Sequence, residues 1–239
     1  MNLLELRGLT RSFGSVKAAD AIDLDVRQGE ALGIIGPNGA GKTTLFNLVA
    51  GDLAPEAGTI RFKGADITAL PTHKRSAAGI GRTYQIPRPF ENLTVFENLL
   101  VGAVYGGRKS ERAAIEPCAE ILRRTGLIGR ANRPAGTLTL LERKRLELAR
   151  ALATSPELLL LDEIAGGLTE GECRELVATI KSLHAAGVTI VWIEHIVHAL
   201  VAVVGRLIVL DFGRKIAEGE PHAVMKSPEV QEIYMGIAA

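Results

Sequence analysis

The sequence has almost no excess of charge: 28 Lys and Arg against 27 Asp and Glu leave a formal net charge of +1. A global basic field, the usual footprint of nucleic-acid binding, is therefore missing. Cysteine is scarce too. Cys118 and Cys173 lie far apart, without the paired spacing of a metal or dithiol site, and read as ordinary residues of a reducing compartment. No apolar run approaches the roughly 20 residues needed to span a bilayer. The most apolar stretches, 158–161, 188–193 and 201–210, are far shorter, so the chain is expected to be soluble by itself, with any membrane role arising through a partner. No secretory leader is read, because residues 1–5 run straight into a strand pattern. Internal repeats and low-complexity tracts are missing as well. The chain's 239 residues suffice for a sizeable core in one large domain or two small ones.

Against these absences stands one dense stretch, Gly36-Pro37-Asn38-Gly39-Ala40-Gly41-Lys42-Thr43-Thr44, which fits the phosphate-binding pattern G-x-x-x-x-G-K-[ST]. Its setting is the one the pattern requires: an apolar run at 30–35 reads as a buried strand, and 44–50 as a helix. The glycines allow backbone N–H groups to wrap inward around a phosphate, and the helix N-terminus adds positive potential. In that pattern Lys42 bridges the β- and γ-phosphates and the Thr43 hydroxyl holds Mg²⁺.

The second strong signal is the leucine run 158–161 followed by Asp162 and Glu163. Four consecutive leucines predict a strand buried on both faces of a parallel sheet, and such sheets bind ligands at the carboxyl ends of their strands. Beside a Mg-nucleotide, Asp162 suits the metal shell and Glu163 suits polarisation of the attacking water. His195 closes another buried strand, 188–193, in the same way, where it can reach the γ-phosphate or the water. Gln85 closes a segment beginning at Gly81 and is a candidate for Mg²⁺ and water contact. Phe13, near a turn, offers either core packing or a flat surface for adenine.

The remaining pattern predicts strands at 3–10, 20–26 and 58–64, with Phe13 between the first two, and a hairpin from 207–212 and 215–218. Helices are predicted at 72–79, 93–100, 171–186 and 228–236, with Asn92 or Thr94 capping the second. The charged stretch 108–125 is expected to be helical but split by Pro117, and 126–136 to be a basic loop. Residues 90–155 together read as a helical insertion between two α/β halves.

The order of these features — aromatic, phosphate loop, Gln, helical segment, leucines with Asp-Glu, His — resembles the ATP-binding-cassette (ABC) ATPases across essentially the whole chain. By that resemblance Phe13 matches the adenine-stacking aromatic, residues 36–43 the Walker A loop, Gln85 the Q-loop glutamine, Asp162 and Glu163 the Walker B aspartate and catalytic glutamate, and His195 the switch histidine. The family signature LSGGQ is matched by Leu138-Thr139-Leu140-Leu141-Glu142, in which Thr139 keeps a hydroxyl and leucines replace both glycines. Thr139 and Glu142 fit a capping box, leaving the N–H groups of Leu140 and Leu141 available to a nucleotide. After Glu163 the family commonly has Pro-Thr-Ser-x-Leu-Asp; here Ile164-Ala165-Gly166-Gly167-Leu168-Thr169 follows, and Ile196 stands where the family often has Asp. Residues 79–85, 93–102 and 228–236 look closest to the ATPases of branched-chain and hydrophobic amino-acid importers.

The resemblance implies a P-loop NTPase cassette of α/β class, with an antiparallel β subdomain, a nucleotide-binding core at 1–87 and 156–239, and an inserted helical signature subdomain at 88–155. It implies ATP and Mg²⁺ as ligands, with Lys42, Gln85, Glu163 and His195 as the catalytic set and Thr43, Gln85 and Asp162 at the metal. Two cassettes, identical or different, would pair head to tail, each site using residues 36–44 of one chain and Thr139, Leu140, Leu141 and Glu142 of the other. Partner permease subunits would hold the cassette peripherally on the inner, cytoplasmic face of the plasma membrane, and an extracytoplasmic solute-binding protein would act at one remove. A slow-turnover, ATP-gated clamp is the alternative suggested by the two signature leucines. Nucleic acid is not expected as a partner, and no Asn-Lys-x-Asp motif supports a GTPase.

Overall fold

The structure, a computed structural model, describes residues 1–235. The chain opens with a long hairpin, β1 (Asn2–Phe13) and β2 (Val16–Arg27), closed by pairing of Phe13 with Val16. Both strands outrun their predicted limits. Phe13 is the last residue of β1 rather than a linker, because antiparallel pairing continues to the turn itself. After β3 (Ala31–Ile35) and α1 (Lys42–Ala50), β4 (Ala57–Phe62) and the short β5 (Ala65–Asp66) complete an antiparallel sheet of order β2-β1-β4-β5. The strand predicted at 58–64 therefore ends early, and Lys63 takes a positive φ of 53° in the turn. Next come α2 (Thr72–Ala78) and β6 (Ile80–Arg82).

The following segment is helical: α3 (Val95–Val101), a π-helical turn over Gly102–Gly106, α4 (Glu111–Arg124) and α5 (Leu140–Ala153). Of the two candidate caps for α3, Thr94 serves, in a full capping box with Glu97. Pro117 does not split α4 as expected. Proline inside a helix costs about 3 kcal/mol. Here Ala114, Cys118 and Leu122, at i, i+4 and i+8, are fully buried in a cluster with Val95 and Leu99 of α3 and Leu146 and Ala149 of α5, and that burial holds the helix continuous.

The last part alternates strand and helix: β7 (Leu158–Asp162), α6 (Glu170–Ala185), β8 (Thr189–Ile193), α7 (Val197–Val201), β9 (Arg206–Asp211), β10 (Arg214–Gly219), α8 (Pro221–Met225) and α9 (Pro228–Met235). Gly236, the final residue of the predicted terminal helix, lies outside the described residues. Thr169 caps α6 in a box with Glu172.

The second sheet runs β10-β9-β3-β8-β7-β6, parallel except for β10. Every residue of β3, β7 and β8 is buried. Their side chains alternate between two cores, as the two-residue period of a strand requires. Leu32, Ile34, Leu158, Leu160, Val191 and Ile193 join α1 and the antiparallel sheet on one face. Ile35, Leu159, Leu161, Ile190 and Trp192 join α6 on the other. Leu148, Ala151 and Leu152 of α5 belong to that second core, while Leu146, Ala149 and Ala153 face the helical cluster, so α5 is shared between the two. Among the described residues no helix is long and apolar enough to cross a membrane.

Candidate active site

In the sheet, β3, β8, β7 and β6 are successive parallel neighbours. Their carboxyl ends therefore carry, within a few strand spacings of about 4.8 Å, the phosphate loop after β3, His195 after β8, Asp162 and Glu163 at β7, and Gln85 after β6. Residues far apart in sequence meet because the strand order is not the chain order.

The helix after the phosphate loop starts at Lys42, two residues ahead of the predicted 44. Gly41 makes the entry, with φ of +96°; a Cβ there would lie 2.0 Å from the Ala18 carbonyl oxygen, so only glycine fits. Lys42 is buried, and its Nζ donates to the carbonyls of Gly36 at 2.6 Å and Pro37 at 3.0 Å. Burial pulls its pKa down, with the nearby Glu163 and Asp162 opposing. The ammonium thus closes on its own loop.

A cavity of about 410 Å³ is lined by Asn38, Gly39, Ala40, Gly41, Lys42, Thr43 and Thr44, together with Gln85, Glu163 and His195. A neighbouring cavity of about 510 Å³ is lined in part by Thr43, Gln85 and Asp162. Thr43 and Gln85 border both. Glu163 holds a left-handed backbone, φ of +46°, uncommon for a residue with a side chain and a place where strain is stored. Both its carboxylate oxygens are engaged: Gln85 Nε2 donates to Oε2, and His195 Nε2 lies 2.8 Å from Oε1. Both oxygens of Glu163 are therefore taken by Gln85, expected at the metal and the water, and by His195, expected at the γ-phosphate or the water.

Asp162 is buried, and burial pushes its carboxyl up while Arg82 pulls it back. Oδ2 accepts from Arg82 Nη2 at 3.0 Å; Oδ1 is buried and has no partner. The same guanidinium donates to Asn47 at 2.6 Å and Asp52 at 2.8 Å. An orphaned carboxylate oxygen costs energy unless a ligand completes it. With the Thr43 hydroxyl on the same cavity, the donor set is hard oxygen throughout and fits Mg²⁺, which keeps waters and phosphate oxygens rather than a protein cage. Among the described residues no group of three or more His, Cys, Asp or Glu side chains is placed to hold a metal ion.

Two contributors were not read from the sequence. Arg82 is one; its neighbour Gln85 drew attention, and only the strand pairing puts its guanidinium on Asp162. Glu194 is the other. Its buried carboxylate accepts the N–H groups of Ala165 (3.0 Å), His195 (3.0 Å) and Ile196 (3.4 Å), which sets the backbone under the histidine. Burial pushes its pKa up against those hydrogen bonds.

The structure does not bring every predicted residue to the cavities. Phe13 sits at the β1–β2 turn, 48% exposed, with the Arg11 guanidinium 5.3 Å from its ring centre, and lines neither cavity. Thr139, Leu140, Leu141 and Glu142 form the N-terminus of α5 and line neither cavity. There the capping box is complete: Glu142 N–H donates to Thr139 Oγ1 at 3.3 Å, and Thr139 N–H to Glu142 Oε2 at 3.0 Å. The amides of Leu140 and Leu141 belong to the first helical turn and have no intrahelical partner. Leu140 is 45% exposed and reaches over the turn after β7, where a Cβ added to Gly167 would lie 3.4 Å from its Cδ2.

The family model of ABC transporters matches residues 19–166. The chain is 38% identical, over 99% of its length and 98% of the relative's, to the high-affinity branched-chain amino acid transport ATP-binding protein BraF of Pseudomonas aeruginosa. It is 33% identical over the same shares to the probable branched-chain amino acid transport ATP-binding protein LivG of Methanocaldococcus jannaschii. Among solved structures, a nucleotide-free ATP-binding cassette from an ABC transporter superposes with a TM-score of 0.90 at 32% identity, covering all of both chains. The ADP conformation of another such cassette gives 0.90 at 33% identity, over 99% of this chain and 100% of that one.

Proposed function

Because this chain belongs to the ABC transporter family of ATP-binding cassettes, we propose that it is the ATP-hydrolysing subunit of an importer for branched-chain or related hydrophobic amino acids. The observation that carries the reading is the meeting of Lys42, Thr43, Gln85, Glu163 and His195 on one cavity, with Asp162 beside it. The amino-acid class rests on the near-full-length likeness to BraF and LivG.

Residues 36–44 would wrap the phosphates, and Lys42 would leave the Gly36 and Pro37 carbonyls for the β- and γ-phosphate oxygens. Thr43, Asp162 and Gln85 would hold Mg²⁺, which when bound neutralises charge on the phosphate oxygens. Gln85 and His195, now facing the γ-phosphate, would release Glu163. Glu163 then accepts a proton from water as the water oxygen attacks the γ-phosphorus. The bond from that phosphorus to the β–γ bridging oxygen breaks, and ADP departs with the electron pair. His195 steadies the γ-phosphoryl oxygens, so positioning and electrostatics supply most of the acceleration.

A second cassette would complete each site, presenting the first turn of α5 with Thr139 and the free amides of Leu140 and Leu141. Residues 88–155 would act as the inserted helical signature unit on a core of 1–87 and 156–239, and the 86–100 segment would pass closure to permease subunits. Phe13 would stack on adenine. The protein would work on the cytoplasmic face of the membrane, with a solute-binding protein acting from the other side. The slow-clamp reading rests on the two signature leucines alone, and the intact capping box at Thr139 weighs against it.

Steady-state hydrolysis of Mg-ATP by the purified chain, over a range of protein concentrations, tests the reading. Turnover rising more steeply than protein concentration is expected if two chains build each site. Absence of saturable Mg-ATP binding would overturn the assignment. Uptake of labelled leucine, isoleucine and valine in cells lacking this chain tests the solute class, and undiminished uptake would remove it.

A further inference from the structure

Lys144 lies outside every motif considered above, yet it is almost fully buried, with 4% of its surface exposed. It projects from α5 six residues past Leu138, and its Nζ donates to two backbone carbonyls: Gln85 at 2.7 Å and Glu163 at 3.3 Å. A buried lysine needs reasons to stay charged. Burial does depress its pKa, and the surrounding Glu194, Glu163, Glu147 and Asp162 oppose that depression.

The contact matters because of what those two carbonyls belong to. Glu163 holds a left-handed backbone, and such a conformation persists only when its surroundings over-determine it. Its N–H donates to the Ile193 carbonyl at 2.9 Å, and its carbonyl accepts from Gly166 N–H at 3.2 Å and from Lys144. Gln85 follows β6 in a stretch without regular structure, so its carbonyl finds no ladder partner and Lys144 supplies one. The same helix grips the segment again further along: Arg150 donates to the Arg88 carbonyl at 2.8 Å. These contacts reach main-chain oxygens, so they fix the path of the segment whatever its side chains.

Resting on the cassette reading above, we propose that Lys144 is a positioning residue that locks α5, whose first turn carries the signature, to the backbones of Gln85 and Glu163. Movement of α5 on engaging the second cassette is thereby conveyed to the glutamine that reads phosphate and to the glutamate that accepts the proton. The sharing of α5 between two cores makes it a rigid lever, and Lys144 is the point where that lever meets the site.

The test compares Lys144→Met and Lys144→Arg with the parent chain by nucleotide titration, steady-state turnover and amide hydrogen exchange. Lys144→Met is expected to keep its affinity for a fluorescent ATP analogue within about twofold and to lose about tenfold or more in kcat. Exchange in peptides spanning 84–88 and 163–166 is expected to quicken by about tenfold while α1 amides stay protected. Lys144→Arg, which keeps donors for both carbonyls, is expected to recover most of the turnover. Unchanged kcat in Lys144→Met would overturn the proposal, as would loss of protection spread evenly through the sheet. Should Lys144→Met not fold, exchange of the parent chain decides: the 84–88 amides must be protected with those of α5, and exchange as fast as at the exposed Tyr105 turn would refute the lock. Failure of the underlying reading is separate, since full turnover in Glu163→Gln would sink the catalytic assignment without touching the exchange result.

Discussion

Replacing Arg82 with Met should destabilise the protein far more than removal of any surface ion pair. The side chains of Arg82 and Asp162 are 7% and 4% exposed, so the pair is screened by protein rather than water. Deleting one partner of a buried pair costs about 3–5 kcal/mol, because the other charge is left without compensation. Arg82→Met leaves Asp162 with neither oxygen partnered, since Oδ1 is already unpaired, and removes the donor to Asn47 and Asp52. Methionine keeps apolar bulk near Phe46 and Tyr84, whose rings lie 5.9 and 4.9 Å from the guanidinium carbon, so little of the loss is cavity formation. For a domain of this size about 1 kcal/mol moves Tm by roughly 2–4 °C, which predicts a fall of about 6–20 °C. Urea unfolding and thermal melting of the nucleotide-free chain measure it. The control is Arg82→Met with Asp162→Asn: with the charge removed as well, at least about 1.5 kcal/mol should return as coupling energy in the double-mutant cycle. A loss in Arg82→Met under about 1 kcal/mol, or strict additivity in the cycle, would refute the claim that Arg82 compensates Asp162.

Glu163→Gln should bind Mg-ATP with nearly unchanged affinity while turnover falls about 10²–10⁴-fold, the worth of a general base; size-exclusion chromatography with ATP should then reveal a trapped dimer, and a monomer that hydrolyses normally contradicts the assignment. Thr139→Ala removes the side-chain half of the capping box at α5 and should cost about 1 kcal/mol in urea unfolding; no change would mean the box does not hold that helix start. Glu147, on α5, has its pKa raised by burial, against Arg150 and the N–H groups of Tyr84 and Arg88. A folded pKa above the unfolded one means that its contribution to stability is whole below the unfolded pKa and is lost as pH rises through the folded value. Glu147→Gln cannot ionise, so its stability relative to the parent should improve as pH is raised from about 4 to 8; a difference constant in pH would show that the carboxyl is not strained by burial. Leu141→Gly should relieve crowding at the signature if that leucine slows closure, and turnover unaffected by the change would free Leu141 of that role.

The nucleotide motifs were legible in the chain because their chemistry is local. Phosphate wrapping needs glycine, a lysine and a hydroxyl within one loop, so residues 36–44 announce themselves without any tertiary information. The buried strands at β3, β7 and β8 were legible for a similar reason, since strands covered on both faces are continuous apolar runs. The cap at Thr94 could be narrowed to two residues, because a capping box is a four-residue pattern. Pro117 misled for the complementary reason. Local propensity weighs against a helix there, while the burial of Ala114, Cys118 and Leu122 that overrides it depends on α3 and α5 lying alongside.

What only the tertiary structure decided is which groups meet. The order β3-β8-β7-β6 brings His195, Glu163 and Gln85 to the phosphate loop, and no spacing along the chain contains that order. Arg82 on Asp162, Glu194 under His195 and Lys144 on two carbonyls are invisible in sequence because a charged residue reads alike whether solvated or buried. Its meaning comes from the distances of 2.7–3.3 Å over which burial makes electrostatics strong. Sequence therefore determined the chemistry available to this protein, through short motifs with covalently fixed spacing. The packing of strands and the exclusion of water determined which of its charges hold one another in place.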